Sequence, residues 1–232
     1  MPRRIVITGG PGSGKTSLIM ALADEGLAVM PEAGRALIRA GQAIDGPALP
    51  WRDPALFAES MLAWEIRSHA AANDLSGPVI FDRGVPDVAG YLRTIGRPVP
   101  SHVQRAMERF RYDDPVFLAP YWPEIFGPDN ERRQDAAEAR ATAEAMRHTY
   151  TEAGYRLVEL PRASIAERAA FVRRVLGGTC APDPEKPDPG KPDGGKPDGG
   201  KPDGGKPDGG KPDGGKPEPE EQYPDRPHRG QA

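Results

Sequence analysis

The 232-residue chain predicts an α/β domain, a parallel sheet of five strands covered by helices, followed by a segment that cannot build a core. Three observations carry this. Short apolar runs alternate with longer helix-patterned segments as far as residue 176, which is the signature of βαβ units. A glycine-rich pattern, G-x-x-x-x-G-K-[ST], falls between the first apolar run and the first helical one. The composition then changes at Gly177: the last 56 residues hold 14 of the 28 glycines, 13 of the 28 prolines and seven of the eight lysines.

The strands are RIVIT (4–8), LAVM (27–30), PVIF (78–81), PVFLA (115–119) and YRLVEL (155–160). The run SLIMALA after Thr16 reads as the first helix. From Pro54 onward Leu56, Phe57, Met61, Leu62, Trp64 and Ile66 recur at roughly helical spacing, with the proline in a tolerated first-turn position. A long helical run, AAEARATAEAMRHTY, precedes the fifth strand. The last helix opens on the S-x-x-E capping pattern of Ser164 and Glu167; Ile165, Val172 and Leu176 are expected to line its apolar face, and Gly177 to close it.

Residues 1–176 are expected to form one domain, long enough to bury a core, and residues 177–232 a separate tail. The domain carries 22 Lys+Arg against 22 Asp+Glu, a balance that points to neither a nucleic acid nor a membrane surface as partner. The single cysteine, Cys180, leaves no intrachain disulfide and no multi-cysteine metal site. No apolar stretch approaches a signal peptide or a membrane span, so a cytoplasmic protein is expected. In the tail KPDGG repeats five times in tandem, from Lys191 to Gly215, with no apolar residue to bury. A solvated, extended spacer is expected there, and a docking peptide for a protein partner is the competing reading.

Lys15 is the only lysine among the first 185 residues, which otherwise use 21 arginines. It stands in the pattern Gly9, Gly10, Pro11, Gly12, Ser13, Gly14, Lys15, Thr16, with Ser17 next. Glycines let such a loop curl its N–H groups inward onto phosphate oxygens, and the following helix adds its positive end. Lys15 would reach the β and γ phosphates of a nucleotide as a compact point charge, and Thr16 would offer its hydroxyl to Mg²⁺. An arginine fork is too large and planar for that place, so generic positive charge is arginine elsewhere and ammonium here.

Three further stretches surround this loop. In VIFDRG (79–84) a strand ending in Asp82 sets a carboxylate beside the loop to hold Mg²⁺, with Arg83 facing a phosphate or substrate; a structural Asp–Arg pair is the alternative. In MPEAGR (30–35) Glu32 and Arg35 border the same crevice beyond the strand ends. Glu32 is then either the general base for an acceptor hydroxyl or a first-turn glutamate favoured by the helix dipole. In DNERRQD (129–135) Arg132 and Arg133 sit where a helix start prefers acids, which points to an anion beneath a lid; a solvated charge cluster is the alternative. Trp64 falls on an apolar helix face, whereas Trp51 and Trp122, in proline-bounded loops, are candidates to stack on a substrate ring. The four histidines show no metal-ligand spacing.

Taken together, ITGGPGSGKTSLI, MPEAGRALI, PWRDP, FDRGVPD, VFLAPYWPEIFGPDNERR and GYRLVELPRASIAERAAFV resemble, in that order, the AAA-28-type P-loop proteins. These are small ATPases related to the ribosylnicotinamide kinase domain of the bacterial NAD regulator. The resemblance covers residues 3–175. It implies a nucleoside- or nucleotide-kinase-like fold with strand order 2-3-1-4-5, in which Asp82-Arg83 looks like the aspartate–arginine pair of such kinases and Arg132-Arg133 like their lid arginines. The Asp-Glu pair that mechanical AAA+ machines carry after the second motif's strand is missing, which points away from a ring-forming motor.

The expectation is a Mg²⁺-dependent protein that binds ATP or GTP and transfers the γ-phosphoryl group to a small, nucleoside-like acceptor. Lys15 and the loop amides would bind phosphates, Thr16 and Asp82 the metal; Arg132 and Arg133 would neutralise charge, and Glu32 or Asp82 would position the acceptor. The alternative is a nucleotide-dependent switch that hydrolyses slowly and binds a macromolecule or lipid.

Overall fold

The computed structural model describes residues 2–125 and 136–177, so the KPDGG repeats, Arg132 and Arg133 lie outside the described residues. The chain runs β1 (Arg3–Gly9), α1 (Lys15–Asp24), β2 (Ala28–Met30), α2 (Ala33–Ala43), α3 (Pro54–Ala71), β3 (Pro78–Asp82), α4 (Val85–Thr94), α5 (Ser101–Arg109), β4 (Val116–Ala119), α6 (Ala136–Glu152), β5 (Leu157–Glu159) and α7 (Ile165–Val175). The five strands form one parallel sheet in the order β2-β3-β1-β4-β5. Each of the five apolar runs read from the sequence is one of these strands.

Side chains alternate across the sheet, so one apolar run feeds two cores. In β1, Ile5 and Ile7 enter a cluster with Leu18, Leu22, Ile80, Phe117 and Val172, under α1 and α7. Val6 enters the opposite cluster with Phe81, Val88, Leu92, Val116 and Tyr150, under α3 to α6. Covering both faces is why the central strands read as unbroken apolar runs rather than alternating ones.

The helix starts are locally specified. Asp53 caps α3, its Oδ1 accepting from the amides of Ala55 at 3.1 Å and Leu56 at 3.0 Å, and Pro54 fills a position that needs no donor. At α7 the capping box closes as expected: the Ser164 hydroxyl accepts from the Glu167 amide at 3.3 Å while Glu167 Oε2 accepts from the Ser164 amide at 3.0 Å. One expectation fails there. Val172 and Leu176 are buried, but Ile165 is 46 % exposed, because the first residue after the cap turns outward at the mouth of a cleft. Among the described residues no helix is long and apolar enough to cross a membrane.

Candidate active site

The sheet register places the chemistry. Ile7 of β1 pairs with Asp82 of β3, so the loop that follows β1 and the carboxylate that ends β3 leave the sheet side by side. Gly9 is the last residue of β1, the loop turns through Gly10 to Gly14, and Lys15 is the first residue of α1. Gly14 adopts φ 73°, left-handed backbone that a side chain would strain, and a Cβ there would stand 2.7 Å from Arg168. Lys15 is buried, with Nζ donating to the carbonyls of Gly9 (3.2 Å) and Gly10 (2.6 Å) and to Ser13 Oγ (3.2 Å).

A cleft of about 710 Å³ opens over this loop. The loop residues Gly12 to Ser17 line it together with Arg35, Trp122, Ile125, Ile165 and Arg168. Arg168 is a residue that sequence reasoning missed. It sits on α7, is only 2 % exposed, donates from Nη1 to the Ser13 carbonyl at 3.0 Å and holds its guanidinium 6.0 Å from the Trp122 ring centre. Trp122 therefore lines the cleft over the glycine-rich loop. Trp51 is exposed and outside this cleft. Trp64 is half-buried, with Arg67 over its ring at 5.2 Å.

Beyond the ends of β2 and β3 Arg83 organises the carboxylates. Its Nε donates to Glu32 Oε1 at 3.0 Å and its Nη1 to Asp87 Oδ1 at 2.9 Å, from a backbone held at φ 77°. Burial pushes its pKa down, but Glu32, Asp87 and Asp82 outweigh that and hold it above the ordinary arginine value. Glu32 is the residue just before α2, makes no side-chain cap to it, and instead meets Arg35 Nε at 3.1 Å. Asp87, another residue missed from the sequence, takes four donors: the Thr8 hydroxyl at 2.6 Å, Arg83, the Gly84 amide at 3.0 Å and the Tyr150 hydroxyl at 2.7 Å. A G-x-x-D signal at a helix start marked it.

Glu65 is the third. It is 4 % exposed on α3, and burial first, then Asp87, raise its carboxyl well above the ordinary 4.5. Its signal was a charge on an apolar stripe, three residues past Leu62.

Among the described residues no group of three or more His, Cys, Asp or Glu forms a metal cluster. The residues nevertheless fit Mg²⁺, which is held in such folds by one or two side chains together with phosphate oxygens. Asp82 is 7 % exposed, and its Oδ1 is buried without a hydrogen-bond partner. Burial and then Glu32 raise the Asp82 pKa against the pull of Lys15 and Arg83. A cation would satisfy that oxygen and remove the penalty.

A parallel sheet of order 2-3-1-4-5, with a glycine-rich phosphate loop joining its central strand to a helix, defines a P-loop protein of the kinase-like class. The AAA_28 family, described as an AAA domain, matches residues 4–168, and the chain belongs to it. A search of curated proteins gave no match.

Among solved structures, deoxyadenosine kinase from M. mycoides with products dCMP and dCDP superposes with a TM-score of 0.54 at 12 % identity, covering 75 % of this chain and 99 % of that one. NadR in complex with NR superposes with a TM-score of 0.57 at 16 % identity over 77 % of this chain and 52 % of NadR. NadR in complex with NAD and AMP-PNP gives 0.55 at 15 % over 76 % and 50 %. The chain thus spans about half of NadR, and at these identities the likeness is one of fold.

Proposed function

We propose that this chain is a Mg²⁺-dependent phosphotransferase that binds ATP and passes its γ-phosphoryl group to a hydroxyl of a small, nucleoside-like acceptor. The observation that carries this reading is the pairing of Ile7 with Asp82, which sets a phosphate loop and a buried, unpartnered carboxylate oxygen on neighbouring strand ends. The kinase-like relatives, which bind nucleotides and small substrates, support the same class.

In this reading Lys15 leaves the loop carbonyls for the β and γ phosphates, and the loop amides take the remaining oxygens. Thr16 and Asp82 would hold Mg²⁺, which would supply neutralisation of the phosphate charge. Trp122 and Ile165 offer the donor base an apolar wall. Glu32 or Asp82 positions the acceptor, and Glu32 takes its hydroxyl proton as the oxygen bonds to phosphorus and the bond to the β-phosphate breaks, its electron pair leaving with ADP. Arg83 fixes Glu32, and Arg132 and Arg133 are the proposed lid arginines.

Thermal stabilisation tests this. Wild type and Lys15→Ala are melted with ATP or GTP plus Mg²⁺, then with a panel of nucleosides and nucleoside monophosphates added to the better nucleotide. Stabilisation of wild type alone, with a further shift from one panel member, is the expected result and names the acceptor to assay. Stabilisation by nucleotide that no small molecule extends favours a nucleotide-dependent switch, and no stabilisation of wild type refutes the reading.

A further inference from the structure

Arg35 stands between the two halves of the site. Its Nη2 donates to Thr16 Oγ1 at 3.3 Å, while its Nε lies 3.1 Å from Glu32 Oε2, in ionic contact but out of line for a hydrogen bond. Glu32 Oε1 in turn accepts from Arg83. One chain of contacts therefore joins the phosphate loop on β1 to the carboxylates beyond β2 and β3.

The oxygen that Arg35 engages is the one that a phosphate loop gives to Mg²⁺. A guanidinium is charged at every working pH and carries only donors. A divalent metal on that oxygen, with the guanidinium nitrogen still in place, would crowd three positive charges around one hydroxyl. One cation must yield. Arg35 has a second anchor, because its Nε stays beside Glu32 while its outer nitrogens turn, and it already lines the cleft over Lys15.

We propose that Arg35 holds the Thr16 hydroxyl in the empty phosphate loop, gives it up to Mg²⁺, and pivots on Glu32 to meet the γ-phosphoryl group from the acceptor side. The inference rests on the phosphotransfer reading above and adds a catalytic residue to it. Arg35 neither gives nor takes a proton; it neutralises the phosphoryl oxygens while the acceptor oxygen bonds to phosphorus and ADP leaves with the electron pair. Before loading, the same arginine opposes the metal. Its removal should therefore move metal affinity and turnover in opposite directions, a split that a merely structural arginine would not produce.

The test uses the full chain as wild type, Arg35→Met and Arg35→Lys. Thermal unfolding is followed while Mg²⁺ is titrated at fixed ATP, and ADP formation from ATP with the nucleoside panel present is measured in parallel. Arg35→Met is expected to lower the Mg²⁺ concentration for half-maximal stabilisation by about fivefold and to slow ADP formation by about 10³-fold. Arg35→Lys, which keeps the charge without the fork, should recover part of the rate. An unchanged Mg²⁺ midpoint in Arg35→Met, in a wild type that binds nucleotide, overturns the inference alone, as does an unchanged rate. A wild type that no nucleotide stabilises overturns the functional reading and this inference together.

Discussion

The Tyr150 hydroxyl donates to Asp87 Oδ2 at 2.7 Å, and through that contact α6 is tied to the first turn of α4. Asp87 Oδ1 meanwhile accepts from Thr8 on β1 and from Arg83. Replacing Asp87 by alanine strands all of these donors in the interior. Asp87→Ala is expected to destabilise the fold by about 3–5 kcal/mol, read from urea unfolding; a cost below that of an exposed ion pair would refute the hub.

Gly10 shows why the second glycine of the loop is needed. A Cβ there would lie 2.4 Å from the Ala139 carbonyl oxygen of α6, and backbone cannot step aside as a side chain can. Gly10→Ala is expected to cost about 1–3 kcal/mol and to weaken ATP binding with it. Calorimetry of the variant with and without ATP checks both.

Much of this site was legible in the sequence because its signals are local. The G-x-x-x-x-G-K-T spacing, the apolar runs and the Ser164–Glu167 box each lie within a few residues. Asp87 and Arg168 owe their importance to partners far along the chain, Tyr150 in one case and Ser13 in the other. No periodicity reports such meetings. The helices α4 and α5 are short, with Pro86 in the first turn of α4 and Pro100 immediately before α5, and were equally hard to read. Ile165 reads as core by spacing and stands exposed because the cleft takes the place of a packing partner.

Glu65 makes stability depend on pH. Well below pH 4.5 the carboxyl is protonated in folded and unfolded chains alike and adds no ionisation cost. As pH rises the unfolded chain ionises first while the buried group stays protonated, so stability falls by about 1.4 kcal/mol per pH unit until the raised folded value is reached. Glu65→Gln removes this falling limb. Urea unfolding at pH 5 and pH 8 should show the variant gaining on wild type as pH rises; a pH-independent difference would contradict the assignment.

Arg168→Met removes the charged donor from the Ser13 carbonyl while keeping bulk in the cleft. A hydrogen bond to a charged group contributes about 1.5–3 kcal/mol, so a lower melting temperature and weaker ATP binding are expected together. Unchanged ATP affinity would show that α7 does not support the loop.

The contact between Arg168 and Ser13 spans 155 residues, from the first turn of the chain to its last described helix. During synthesis at about 5–20 residues per second, the nascent loop waits roughly 8–30 s for the arginine that steadies it. Until then a growing chain has strands to pair but no finished cradle for phosphate. Nucleotide can reward completion of the fold, yet it cannot act as a template for its early stages.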